Sequence, residues 1–461
     1  MVEYQIASTP FGEILIAERT DKSSCSASRK IIFLEFIEGG ALQPILESLK
    51  KVSGEEDAVD ISNKNLYPDT YFFSFDELLN GMKIGWDRLA VEGTPFQMKV
   101  WRTLFEVPFG EVLSYSQLAQ LAGYPAAVRA VATVVASNPV SLIIPCHRIV
   151  RKEAIVPDRG LKRSAGVFAG DLLFAGDGAV GSGELLHHYG NYRWGWQTKS
   201  RLIEWERYRK ILFSYMQQEY KKFSQDLIPT NGNTMLGVRL PQLRKIATDI
   251  AKKNWREFLY VYENLDVKYL YFEEIMLQGM VVNAAKIELE QRLEHVKRFV
   301  PKIDNWAVCD TFCCGTKWVA KHKETVWTFL QPFLSSGKEF QIRFAVIMFL
   351  ANFLDKEYIG KVLNALDGIK QVTGKGGGSA PVQGKDHAAT PDNYYIEMAV
   401  AWCLATAAAK CREEFYIYIG KTKLNKGVLK KMAQKMRDSY RISNEDKDLI
   451  TEIVNHKNNC K

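Results

Sequence analysis

The spacing of apolar positions changes twice along this chain, and the changes predict three regions. Up to residue 85, short apolar runs alternate with polar turns. Glu13-Ile14-Leu15-Ile16-Ala17 and Ile31-Ile32-Phe33-Leu34-Glu35-Phe36 read as strands. A small α/β domain is expected over 1–85. From Thr94 to Ser137 the period turns helical, with Phe96, Val100 and Leu104 on one stripe. Pro108-Phe109-Gly110 ends that helix. Ser114 with Gln117 reads as a capping box opening a helix over 117–122. Gly123-Tyr124-Pro125 is a tight turn, and a third helix is expected over 126–137. Helix, short glycine-containing turn and helix make the helix-turn-helix plan, placed in a domain over 86–206. Residues 151–190 keep no period and read as an irregular insertion. From 208 onward, helical segments follow one another over 240–252, 254–263, 271–282, 286–299, 324–333 and 340–354. That succession predicts an all-α solenoid over 208–461, with a flexible Gly/Ser/Pro-rich loop at 371–392. The fold class is therefore multidomain.

Composition narrows the setting. A chain of 461 residues is too long for a single core. The eight cysteines are scattered without a CxxC pair, so no metal site, disulfide or cofactor is expected. Met1 to Thr20 has no apolar signal core, and stretches such as Phe344 to Ala351 are too short to span a bilayer. The expectation is an intracellular monomer, in cytoplasm or nucleus, with no membrane partner. Charge is uneven: residues 1–206 hold 21 Lys+Arg against 25 Asp+Glu, whereas 207–461 hold 40 against 28. The basic half suits a polyanion.

Candidate chemistry begins at Pro145-Cys146-His147-Arg148, which follows the apolar run Val140 to Ile144. A thiolate nucleophile needs a base and a positive field, and this tetrapeptide offers both. On the third helix the polar residues Arg129, Thr133 and Ser137 fall on one stripe, and the rest is Ala and Val. So slim a face can approach a nucleic-acid backbone closely, with one arginine as a wedge.

The stretch from Gly93 to Val150 resembles the O6-alkylguanine-DNA alkyltransferase family. The matching residues are Gly93-Thr94-Pro95-Phe96-Gln97, Val100-Trp101, Val107-Pro108-Phe109-Gly110, Ser114-Tyr115, Leu118-Ala119, Arg129-Ala130-Val131, Asn138-Pro139 and Pro145 to Val150. With the N-terminal domain, the resemblance covers roughly 1–206. It implies that Cys146 accepts the alkyl group and that His147 acts through a water as its base. Glu206 is implied as the orienting carboxylate, with Glu204 as the alternative. It further implies that Arg129 replaces a flipped guanine, Tyr115 presses on the phosphate, Asn138 braces the cysteine loop and Tyr192 bonds near the base. Arg148 is expected among the DNA contacts. The partner is double-stranded DNA containing alkylated bases.

In the basic half, Asp304-Asn305-Trp306 is followed by Asp310, so Trp306 and Asp310 share one helical face. An aromatic plane beside a carboxylate suits a cationic base. Residues 208–461 resemble the AlkD-like DNA alkylation repair family of HEAT-like glycosylases. The resemblance rests on Gly237 to Arg244, Asp304 to Asp310, Arg343-Phe344-Ala345-Val346, Met398 to Trp402 and the basic run Lys435 to Arg441. It implies that Asp310 promotes N-glycosidic cleavage of an N3- or N7-alkylpurine, that Trp306 and Trp402 flank the lesion, and that Arg343 holds the DNA backbone. Two other readings stand beside this two-module repair enzyme. One is an alkyltransferase with a non-catalytic DNA- or partner-binding solenoid, the other a damage-signalling binder.

Overall fold

A computed structural model describes residues 2–21, 28–55, 58–62, 84–152, 155–156, 171–172, 192–230, 234–370 and 393–459. The expected loop 371–392 and most of the expected insertion 151–190 lie outside these residues. Within the insertion, Ile155–Val156 pairs antiparallel with Asp171–Leu172. The chain forms two compact units, one of 1–215 with 256–266 and one of 216–255 with 267–461.

The first unit opens on a sheet. Strands β1 (Val2–Thr9) and β2 (Gly12–Asp21) form a hairpin, and β3 (Ser28–Phe36) pairs antiparallel with β2. Helix α1 (Leu42–Ser53) leads to β4 (Val59–Asp60), which runs parallel to β1 and gives the order β3-β2-β1-β4. Residues 14–18 of β2 are buried without a break, because both faces of this central strand are covered. Leu15, Ala17, Ile32 and Phe33 meet Ile45 and Leu49 of α1 in the sheet's core.

The helical part follows. Helix α2 (Pro95–Phe105) starts at a Thr94–Gln97 capping box that the apolar pattern does not reveal. A short strand β5 (Leu113–Ser114) enters α3 (Tyr115–Leu121), and here the expected Ser114–Gln117 box is present. Gly123, at φ +86°, makes the turn, and α4 (Val128–Ala136) packs on both α2 and α3. Strand β6 (Ile149–Val150) runs parallel to β5, tying the exit of the cysteine motif to the start of α3. Helix α5 (Gly195–Phe213) closes the layer.

Helix α6 (Gln218–Leu227) and α7 (Leu240–Lys253) open the second unit. Helix α8 (Trp255–Glu263), expected in the solenoid, has most of its residues in the first unit instead, where Phe258 sits 4.9 Å from the Tyr208 ring. Its large apolar side chains find their burial against α5. Next come α9 (Phe272–Ala284), α10 (Leu289–Phe299), α11 (Trp306–Cys314), α12 (Lys323–Leu334) and α13 (Glu339–Asn352). They are followed by α14 (Ile359–Asp367), α15 (Tyr394–Lys410), α16 (Arg412–Ile419), α17 (Lys426–Arg437) and α18 (Asn444–Asn459). Helices α7, α9, α11, α13, α15 and α17 pack in sequence as one row, and α10, α12 and α16 flank it. Helix α9 is buried from Phe272 to Val282 and α13 from Ile342 to Leu350, so both are covered on every face and mostly apolar, with Glu273, Glu274, Gln278 and Arg343 as the buried polar exceptions. No helix among the described residues is long and apolar enough to cross a membrane.

Candidate active site

Cys146 begins a single 3-10 turn, Cys146–Arg148, and is buried. The segment before it is pinned from two sides. Leu34 of β3 donates its N–H to the Pro139 carbonyl (2.9 Å) and accepts from Ser141 N–H (2.9 Å), so the loop extends the sheet edge. Asn138 donates from Nδ2 to the Ile144 carbonyl (2.8 Å) and accepts at Oδ1 from Val140 N–H (3.0 Å). One buried amide thus clamps both ends of the loop. Leu142 takes φ +68° inside this clamp, a left-handed conformation that costs a non-glycine residue about 1–2 kcal/mol.

Next to the turn stands a buried charge cluster on α5. His147 Nε2 lies 2.9 Å from Glu206 Oε1. Arg148 donates to both oxygens of the same carboxylate, from Nε and Nη2 at 2.8 Å each, and from Nη1 to the Val107 carbonyl at 2.6 Å. Arg148 therefore serves the carboxylate rather than the DNA contacts expected of it, because its three donor nitrogens are already engaged inside the protein. Gly110, at φ +70°, adds its N–H to Glu206 Oε2 at 3.2 Å. A Cβ there would come to 3.1 Å from the Glu206 carbonyl oxygen, so glycine is needed at this approach.

These contacts set the protonation states. Burial pushes the Glu206 carboxyl up, but Arg148 and His147 outweigh it and hold it down at about 2. Burial lowers the His147 imidazolium, and Glu206 offsets only part of that, which favours the neutral ring at pH 7. Among the described residues its buried Nδ1 meets no hydrogen-bond partner. Burial raises the Cys146 thiol, while Asn138, Lys199 and Ser141 pull it back.

A cavity of about 290 Å³ opens beside Cys146. Tyr115 of α3 and Val135 and Ala136 of α4 bound it, with Ser141, Tyr192 and Trp194 opposite. The Tyr192 hydroxyl is buried beside Cys146, and burial and that thiol push it up. Arg129 lies at the other end of α4, on an exposed face whose remaining residues (Ala130, Thr133, Ala136 and Ser137) are all small.

Two contributors to this site have no sequence motif. Lys199 of α5 is fully buried, donates to the Ile149 carbonyl and lies 5.9 and 5.7 Å from the Tyr115 and Tyr192 rings. Burial pulls its ammonium down to about 7, and Cys146 opposes that shift. Lys199 and Glu206 stand seven residues apart, two turns along one helix face. A lysine in register with the carboxylate was the available signal. The second is Arg193, which lines the cavity and pairs with Glu35 of β3 and, at 3.2 Å, with Ser48 Oγ of α1. Burial lifts the Glu35 carboxyl to about 7 against the pull of Arg193.

The second unit carries its own cluster. Trp306 and Asp310 lie one turn apart on α11, both half-buried, with Asn305 capping the helix through Val308 N–H at 3.0 Å. Arg343 of α13 grips Asp310, from Nη2 to Oδ1 and Oδ2 at 2.9 and 2.8 Å, and donates from Nη1 to the Tyr395 carbonyl at 3.0 Å. In this state Arg343, expected to hold the DNA backbone, holds the carboxylate. Burial raises the Asp310 carboxyl, and Arg343 and then Lys435 lower it. Lys435 of α17 lies 6.0 Å from the Trp402 ring centroid. Of the adjacent cysteines on α11, Cys313 packs in the core, whereas Cys314 is exposed.

Both units are similar to known proteins. The sequence model of a family described as "6-O-methylguanine DNA methyltransferase, DNA binding domain" matches residues 95–166. That of a family described as "DNA alkylation repair enzyme" matches 209–368. A probable methylated-DNA–protein-cysteine methyltransferase of Acanthamoeba polyphaga mimivirus is 38% identical over 127 residues, 27% of this chain and 68% of its own. The methylated-DNA–protein-cysteine methyltransferase of Methanosarcina barkeri is 32% identical over 148 residues, 32% of this chain and 81% of its own. Several bacterial relatives match over only 22% to 36% of their length. Among solved structures, an O6-methylguanine methyltransferase of Mycobacterium tuberculosis aligns with 45% of this chain and 94% of its own, at 23% identity and a TM-score of 0.29.

Proposed function

Because this chain belongs to the methylated-DNA–protein-cysteine methyltransferase family, we propose that Cys146 takes the alkyl group from O6-alkylguanine in double-stranded DNA, irreversibly and once per molecule. The observation that carries this reading is the buried His147–Glu206–Arg148 cluster beside a thiol that borders a cavity. The target carbon lies inside a duplex, so the nucleotide rotates out into the cavity. Arg129, on the slim face of α4, fills the space left in the stack and offsets part of the few kcal/mol lost there. Tyr115 and Tyr192 frame the base.

The thiol is protonated at rest, since burial raises it. His147 removes the proton through one water at Nδ1, and Glu206 stabilises the imidazolium that forms. The sulfur then attacks the alkyl carbon. An S–C bond forms, the C–O6 bond breaks, and guanine departs with the electron pair and takes up a proton. The product is a thioether that none of these residues hydrolyses.

Intact-protein mass after incubation with O6-methylguanine DNA tests the reading. One methyl is expected per chain, mapped to Cys146, and none in Cys146→Ser. Turnover well above one methyl per protein would refute it. The Glu35–Arg193 pair gives a second expectation. Glu35 is ionised above about pH 7 and protonates below, so its hold on the cavity wall weakens as pH falls through 7. Glu35→Gln is expected to slow methyl transfer roughly three- to tenfold at pH 8 and far less at pH 6. An equal effect at both would refute the latch.

For the second cluster, the reading is excision of N3- or N7-alkylpurines. Asp310 stabilises positive charge growing on the sugar, while Trp402 and Trp306 face the cationic base. The basic balance of 207–461 suits binding to DNA that weakens steeply with salt. Full-length protein is expected to release N7-methylguanine from duplex DNA, at least a hundredfold more slowly in Asp310→Asn. Salt-sensitive binding without base release would favour a non-catalytic clamp.

A further inference from the structure

The cluster around Asp310 holds one group that the excision chemistry leaves unused. Arg343 already satisfies both carboxylate oxygens of Asp310. Lys435 reaches the same place from α17, half-buried, with its Nζ 6.0 Å from the centroid of the Trp402 ring. Among the described residues it forms no hydrogen bond and no ion pair. Two other lysines of this unit are tethered by carboxylates. Lys431, one turn earlier on α17, is tied to Glu397 at 2.6 Å, and Lys323 is tied to Asp355. Lys435 thus presents a primary amine over an aromatic face, close enough to Asp310 to lower its carboxyl.

We propose that Lys435 is a nucleophile for abasic sites, and that its Nζ condenses with the C1′ aldehyde of an abasic deoxyribose and cleaves the strand by β-elimination. This inference rests on the reading of the Asp310 cluster as a place where purines leave DNA, because a ring-opened aldehyde is what such a place produces. Lysine amines form Schiff bases with carbonyl carbons when a fraction of the amine is neutral. Burial and the neighbouring Arg343 both push the Lys435 ammonium down, which enlarges that fraction.

The atoms balance without any redox partner. The neutral Nζ adds to C1′, the carbonyl π electrons move to oxygen, and one proton passes from nitrogen to that oxygen. The hydroxyl leaves as water after a second protonation, giving an iminium ion. Loss of a proton from C2′, with Asp310 as acceptor, forms an enamine. The C3′–O bond then breaks and the 3′ phosphate departs with the electron pair. Water hydrolyses the remaining imine, restoring Lys435 and releasing an unsaturated aldehyde on the 5′ fragment.

The test uses the full chain and a duplex with one aldehydic abasic site, quenched with sodium borohydride. Reduction of the imine fixes a covalent protein–DNA adduct, and peptide mass mapping locates it. The expected result is an adduct on Lys435 that falls at least tenfold in Lys435→Ala and in Lys435→Arg. The arginine variant retains the positive charge and the DNA affinity. No adduct, an adduct on another residue, or an undiminished adduct in Lys435→Arg would overturn the inference. Release of N7-methylguanine, assayed on the same preparation, separates the two readings. Base release without trapping leaves excision standing and removes the nucleophile. Trapping without base release does the reverse.

Discussion

Glu206→Gln is expected to abolish nearly all methyl transfer and to destabilise the first unit. The carboxylate closes four contacts to three residues at once: the His147 imidazole, two donors of Arg148 and the N–H of Gly110. A neutral amide keeps the shape but removes the charge. Arg148 then keeps a largely buried guanidinium with no anion, which costs about 3–5 kcal/mol. His147 loses the group that fixes its tautomer and stabilises its protonated form, and such losses cost roughly 10²–10⁴ in rate. Single-turnover methyl transfer, followed by mass, should fall by at least a hundredfold at pH 7.5. The pH dependence gives an independent check. The folded carboxyl sits at about 2 against an ordinary 4.5, so its contribution is complete above about pH 5 and is lost as pH falls towards 2. That part of the acid sensitivity should vanish in the variant. A folded Glu206→Gln protein that transfers methyl within threefold of wild type would break the proposed role of the cluster.

The two kinds of site residue differ in how far the chain discloses them. Ser114 with Gln117, the Asn138 clamp and the His147–Glu206 contact are legible because each is a local pattern or sits in an ordered motif. Arg148 is legible as a residue but not as a role. In a tight 3-10 turn two successive side chains both reach α5, and no periodicity distinguishes an inward arginine from an outward one. Glu35 and Arg193 stand 158 positions apart, and only the folded chain brings them together. The solenoid's inner row is easier to read, since α9 and α13 are mostly apolar and buried on every face. The reassignment of α8 was not, because an amphipathic helix states that it has a partner, not which one. Lys199 was hidden by composition: a lysine is ordinarily a surface residue, and a buried one is visible only once α5 is packed.

That buried lysine yields the second large expectation: Lys199→Met makes the protein slower and more stable together. The ammonium is lowered from 10.5 to about 7 by burial, and Cys146 is the group that opposes the shift. Removing it takes away a positive charge that lowers the thiol, so the thiol rises further and less thiolate forms at neutral pH. Methyl transfer should slow about ten- to hundredfold, with the rate maximum displaced to higher pH. Stability should move the other way. A folded ammonium at about 7 against an unfolded one at 10.5 destabilises the wild type fully below pH 7, by roughly 4–5 kcal/mol, and progressively less as pH rises towards 10.5. Methionine fills a similar volume without that penalty, although the hydrogen bond to the Ile149 carbonyl is lost, at about 1–3 kcal/mol. Thermal melts at pH 6 should therefore favour the variant and those at pH 10 the wild type. A variant that melts lower at pH 6, or that transfers methyl at the wild-type rate, would show that the lysine holds the helix in place rather than the sulfur in its reactive state.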